Sequence, residues 1–161
     1  MASQADAIEK SLLREIAKAG QALVLEIDAE LRKPPSEGGT PVDTGHARAN
    51  WVPSVGNPFT AEVDGNAAHE NGVQALVRYR LEDGPLWLSN NVPYINWLDL
   101  ATASAGFVEA AIARAQAAVQ AQYDRLDIQV QTQGVGTFAD VAGGFAASNL
   151  ASAYSPFGGD T

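Results

Sequence analysis

The chain has no cysteine in its 161 residues, which excludes a disulfide framework and any thiolate chemistry. It is also short of positive charge. Ten Lys and Arg stand against nineteen Asp and Glu, for a formal net charge of −9. Tight binding of a phosphate backbone needs clustered cations that displace counterions, and here only Arg32-Lys33 are adjacent. No apolar run approaches the ~20 residues that span a bilayer. The opening Met1 to Asp6 has neither the basic start nor the apolar stretch of a secretion signal. A soluble chain with no membrane contact is therefore expected. Only two histidines occur, His46 and His69, and no third ligand accompanies them at metal-binding spacing. There is no G-x-x-x-x-G-K phosphate loop, since Gly143-Gly144 lacks the following lysine, and no serine sits in a G-x-S-x-G elbow.

What is present is enough for one core. Hydrophobic residues make up 46% of the chain, and the length suits one domain. From about Gln4 to Arg32, Ile8, Leu12, Ile16, Ala19, Leu23, Ile27 and Leu31 recur every three or four residues, and Leu13, Ala17 and Val24 widen the stripe. That period predicts a long amphipathic helix made to pack on a sheet. Lys33-Pro34-Pro35 must end it, because a residue before proline is driven out of the α region. After a Gly-rich loop, Asp43 is positioned to cap a short helix through His46, Arg48 and Asn50. Trp51 to Val55 and Phe59 to Val63 read as two strands around Gly56-Asn57-Pro58.

Residues Val73 to Leu81 fit both periods, so periodicity leaves them open between helix and strand. Asp83-Gly84-Pro85 is a turn, Leu86 to Asn90 a strand, and a short helix carrying Tyr94, Trp97 and Leu98 follows Pro93. Val108, Ile112, Ala115, Val119, Tyr123 and Leu126 predict a closing helix from Ala105 to Ile128, with Ser104 as its cap. Residues 131–161 hold no Lys, Arg or Glu and carry Phe138, Phe145, Tyr154 and Phe157. Disordered tails are usually charged and poor in aromatics. This one is expected to be ordered by neighbouring subunits, with packing on its own domain as the alternative.

Asp43-Thr44-Gly45 is the tripeptide of aspartic proteases, in which two carboxylates share a proton. One copy per chain would demand a homodimer. The setting is wrong for that chemistry, since the motif follows a Gly-Pro loop rather than an aliphatic strand, and helix capping accounts for it. Asp43→Asn separates the two readings: a peptidase loses turnover, whereas a cap loses little because Asn also caps. His69-Glu70 reads as a solvated loop pair. Trp51, Trp87 and Trp97 each lie in an apolar run and read as core.

Several segments together are similar to the small neck and tail-completion proteins of long-tailed phages. The first is Pro41-Val42-Asp43-Thr44-Gly45 with Trp51 following a short helix. The second is a strand ending in Asn90-Asn91-Val92-Pro93-Tyr94. The order of a leading helix, two motifs and a closing helix fits as well, over roughly residues 5–125. His46-Ala47 stands where many such proteins have Arg-Leu, the segment after Leu98 is plainer than theirs, and residues 131–161 have no counterpart.

The resemblance implies a virion part without enzymatic activity, cofactor or metal, assembled in a host cytoplasm into a cyclic ring, a hexamer by resemblance. Neighbouring connector, tail-terminator or tail-tube proteins would be its partners, and DNA would pass without specific binding. It also favours helix over residues 70–80. A related connector or terminator ring of the same particle is the nearest alternative, and the homodimeric peptidase through Asp43 the one of another class. The expected fold is α+β: two long helices on a small, mainly antiparallel sheet, as residues 1–130, followed by an extended tail, 131–161.

Overall fold

The computed structural model describes residues 3–42, 45–101, 105–133 and 148–152. The chain is α+β, as the periodicities imply. Helix α1 spans Gln4–Arg32 and is closed at its start by a capping box. Asp6 N–H donates to Ser3 Oγ at 3.1 Å, and Ser3 N–H donates to Asp6 Oδ2 at 2.8 Å, so two otherwise orphaned donors are satisfied reciprocally. The helix stops at Lys33, where the chain turns extended ahead of Pro34 and enters a short 3-10 turn, Pro35–Glu37.

Next come α2 (His46–Ala49), β1 (Val52–Val55), α3 (Ala67–Val77) and a 3-10 turn at Leu81–Asp83. They are followed by β2 (Leu86–Asn90), α4 (Ile95–Ala101), α5 (Phe107–Gln122), β3 (Gln131–Gln133) and β4 (Ser148–Ser152). The ambiguous residues are thus helical. Gly72 and Leu76, one turn apart, are the residues that α3 buries.

The sheet is antiparallel throughout, in the order β1-β2-β4-β3. Val52 pairs with Ser89 and Val55 with Leu86. The pairing of β4 with β2 and of β3 with β4 takes both strands from residues 131–161, so the described parts of that segment extend the chain's own sheet. The expectation that neighbours order this segment falls otherwise outside the described residues.

The core is one cluster. Ile16, Ala19, Leu23, Val24, Ile27 and Leu31 of α1 meet Ala111, Ile112, Ala115 and Val119 of α5 and Leu86 and Leu88 of β2. The alanines let the two helices approach closely. An ion network centred on the buried Glu30 crosses their contact. Arg114 Nε donates to Glu30 Oε2 at 2.6 Å, and Lys33 binds the other carboxylate oxygen. Burial alone would raise the Glu30 pKa, but the hydrogen bonds and charges of Lys33 and Arg114 outweigh it and hold the carboxyl below its ordinary value.

Three sequence expectations need correction. Phe59 to Val63 is not a strand. Its carbonyls are taken up by side chains: Asn91 Nδ2 donates to Phe59 O (2.8 Å) and Ala61 O (3.2 Å), and Asn50 Nδ2 donates to Val63 O (3.0 Å). Asn50 Oδ1 in turn accepts from Val63 N–H at 2.8 Å. Two asparagines replace a neighbouring strand, which is why an alternating pattern need not mean a ladder.

The closing helix ends at Gln122, short of Ile128. Leu126 and Ile128 are still buried, because Gln120 Nε2 and Gln116 Nε2 each donate to the backbone of the returning chain, at Leu126 O and Ile128 O, both at 2.6 Å. At its start the cap position is Gly106, and Ser104 lies outside the described residues. His69, finally, is no loop residue. It sits on α3, with Nε2 2.7 Å from Oδ2 of the buried Asp28, whose other oxygen accepts from Arg32 Nε at 2.9 Å.

Asp99, on α4, supplies the carboxylate for the start of α5, accepting Val108 N–H at 3.1 Å. Burial raises its pKa above the ordinary 3.8, with the Glu109 charge adding to the rise and the amides of Val108, Gly106 and Phe107 opposing it. In the interval above the ordinary value the native chain binds more protons than the unfolded one. This group's contribution therefore falls as pH rises through that interval. Asp99→Asn keeps an acceptor at the helix start and removes the titration. Urea unfolding should show the variant gaining on the parent as pH rises from 3.5 to 7, with no gain at the acid end. A difference independent of pH would contradict this account.

Candidate interaction surface

Thr40 and Trp51 lock the first motif to the body of the protein. The indole of Trp51 is fully buried, and its Nε1–H donates to Thr40 Oγ1 at 2.9 Å. The Thr40 hydroxyl donates onward to Leu31 O at 2.7 Å, near the end of α1. Arg32 closes the circuit by donating to Trp51 O at 2.8 Å. Pro41 and Val42 must therefore leave the protein at one defined place. Gly45 has φ +82°, a left-handed conformation costly for residues with a Cβ, and it occupies the cap position of α2. Asp43 and Thr44 lie outside the described residues, and with them the readings of Asp43 as a cap and as a protease carboxylate.

The second motif is tied to the first through Asn90. This side chain is fully buried. Its Nδ2 donates to Ala47 O at 2.8 Å, and its Oδ1 accepts Val92 N–H at 3.2 Å, two residues on. The one amide joins β2 to α2 and turns the strand end. Asn91 faces the other way, onto Phe59 and Ala61. Pro93 is exposed. The turn delivers Tyr94 and α4 beside Pro41, Val42 and Gly45.

Between them lies a groove of about 460 Å³, lined by Pro41, Val42, Gly45, His46, Tyr94 and Trp97 among others. Val42 is 40% exposed, Tyr94 42% and Trp97 47%. Trp97 is thus not core, as its apolar run implies, but the largest apolar side chain on this surface. Trp87 is half-buried, its Nε1–H donating to Gly56 O at 3.2 Å. Beside the groove, His46 Nε2 is 2.6 Å from Glu62 Oε1, and its Nδ1 is 4.0 Å from the fully exposed Asp64.

Of the ten motif residues, Pro41, Val42, Gly45 and Tyr94 line the groove, while Trp51 and Asn90 hold it together from beneath. Sequence reasoning missed Asn50, whose only local signal was its place before Trp51, and mistook Trp97, for which periodicity offered no signal of exposure. No group of three or more His, Asp or Glu able to hold a metal ion occurs among the described residues. No helix among them is long and apolar enough to cross a membrane. An exposed aromatic groove is suited to holding another apolar chain segment, because aromatic side chains offer large contact area at small entropic cost. Comparisons with protein-family models, with curated proteins and with solved structures found no match.

Proposed function

We propose that this chain is a structural subunit of a tailed-phage particle, acting in the neck or tail-completion region as one copy of a ring through which DNA passes. The observation that carries the reading is the convergence of the two motif segments. The two motifs are far apart in sequence, yet Asn90 binds Ala47 directly, and Pro41, Val42 and Gly45 of the first border one groove with Tyr94 of the second. Residues that serve a reaction converge on a reacting atom. These border a groove with exposed apolar side chains, which suits a contact surface of the kind a subunit of an assembly needs. The net charge of −9 supports the DNA-passage part, because a conduit for a polyanion works when it does not bind it. Virion location, and connector, terminator or tube proteins as neighbours, belong to the same proposal.

Electron microscopy and sedimentation velocity of the purified protein test it. Closed rings, of about six copies if the hexamer implied by resemblance is right, are the expected result, together with no retention of duplex DNA at physiological salt. Single chains at every concentration, or a dimer with peptidase activity abolished by Asp43→Asn, would overturn it.

A further inference from the structure

Helix α1 carries its apolar stripe further than the described core uses it. The helix has 29 residues, roughly 43 Å at 1.5 Å per residue, but burial on it begins at Ile16. Residues 3–14 are exposed, and they are not a polar extension. Ile8 is 63% exposed, Leu12 47% and Leu13 43%. At 3.6 residues per turn, Ile8 and Leu12 lie on the line that Ile16, Ala19 and Leu23 continue into the core. The stripe is continuous. Its second half is covered by α5 and β2, and its first half by none of the described elements.

We infer that residues 153–161 lie along this ridge of their own chain, with Tyr154 against Leu12 and Leu13 and Phe157 against Ile8. The inference does not depend on the ring reading. Strand direction carries it. A Cβ at position 20 would lie 3.1 Å from Leu86 Cδ1, so the start of β2 seats on Gly20 of α1. The far end of β2 lies by the end of the same helix: Ser89 pairs with Val52, and Arg32 donates to the carbonyl of the preceding Trp51 at 2.8 Å. Strand β2 and helix α1 thus run in the same sense. Strand β4 runs the other way, from Ser148 opposite Asn90 to Ser152 opposite Leu86. It therefore leaves the sheet at the Gly20 end, headed toward the exposed turns of α1.

Length and chemistry agree with that course. Leu13 and Ile8 lie about 10 and 18 Å from Gly20 along the helix axis. An extended chain gains about 3.3 Å per residue, which brings Tyr154 about 7 Å and Phe157 about 17 Å beyond Ser152. Asp160 is the one charged residue in 153–161. On the helix, Glu9 stands one turn before Leu12 and Leu13, while Lys10 and Arg14 point to the opposite side. The ridge of a second copy would set two such glutamates in one seam with no cation on that face. An uncharged stretch bearing two aromatic rings meets no such opposition and offers them a large apolar area.

Because the chain has no cysteine, an introduced pair reports this contact alone. Glu9→Cys with Gly158→Cys sets one thiol on the ridge and the other beside Phe157. Lys10→Cys with Gly158→Cys sets the first thiol at the same height on the opposite side. Both helix positions are exposed, so the fold should be undisturbed. In dilute protein under mild oxidation, the Glu9 pair should close within the chain about tenfold faster than the Lys10 pair, since a docked segment raises the effective concentration of its thiol. Adding Tyr154→Ser and Phe157→Ser to the Glu9 pair should slow it to the rate of the Lys10 pair. Equal rates for the two pairs, or no slowing by the serines, would overturn the inference. Disulfides that form between chains in place of within one would overturn it as well, and would give the ridge to the same segment of another copy.

Discussion

Trp51→Ala should cost the protein roughly 3–5 kcal/mol, the range for truncating a fully buried aromatic. Trp51 has no exposed surface, and its removal leaves a cavity where α1, β1 and the Thr40 loop meet. The loss reaches further than packing, because the Thr40 hydroxyl accepts from the indole while donating to Leu31 O. Trp51→Phe separates the two contributions. It retains most of the apolar contact but leaves the buried Thr40 oxygen without its donor, which costs about 1–3 kcal/mol. Equilibrium urea unfolding of both variants would give the two values. The alanine variant should also lose self-association, since Thr40 and Trp51 hold Pro41 and Val42 beside α4. An alanine variant within about 1 kcal/mol of the parent would show that this corner repacks, contrary to the usual cost of such a cavity.

Gly72→Ala is the second large effect, and its sign is the informative part. Helix propensity alone predicts a gain of about 1 kcal/mol in the interior of a helix. The tertiary contact predicts the opposite. A Cβ at position 72 would lie 2.0 Å from Pro53 O and 3.0 Å from Pro53 C. The obstacle is backbone in a paired strand and not a side chain that can swing away. Forcing α3 off β1 should cost about 1–3 kcal/mol or more, so a net loss is expected in thermal or denaturant unfolding. Asn71→Ala on the exposed face of the same helix is the control, and it should gain a few tenths of a kcal/mol from propensity. If both variants gained, the close approach of α3 to β1 would not exist in solution.

Much of the fold was legible. The boundaries of α1 followed from a sustained 3.6-residue stripe and the Pro34-Pro35 stop, and β2 followed from a short apolar run bounded by Gly84-Pro85 and Pro93. Long periods and prolines are local signals that few tertiary contacts can override. The misread elements were those where side chains perform a backbone's work. Asn50 and Asn91 support residues 59–63 in place of a strand, and Gln116 and Gln120 bind the chain beyond α5 in place of further helical turns. Hydrophobic pattern alone cannot reveal such substitutions, because the apolar residues are buried in either case.

The candidate site divides in the same way. Sequence by itself determined that the chain is acidic, free of cysteine and α+β, and it singled out the residues of two motifs. Only the tertiary structure decided that Asn90 reaches Ala47, that the motifs share one groove, that Trp97 faces outward, and that Ile8, Leu12 and Leu13 of α1 stay exposed. The physical reason is range. Helical stripes and proline stops act within a few residues. Whether an apolar side chain is covered depends on which distant element arrives to cover it, and for Ile8, Leu12 and Trp97 none of the described elements does.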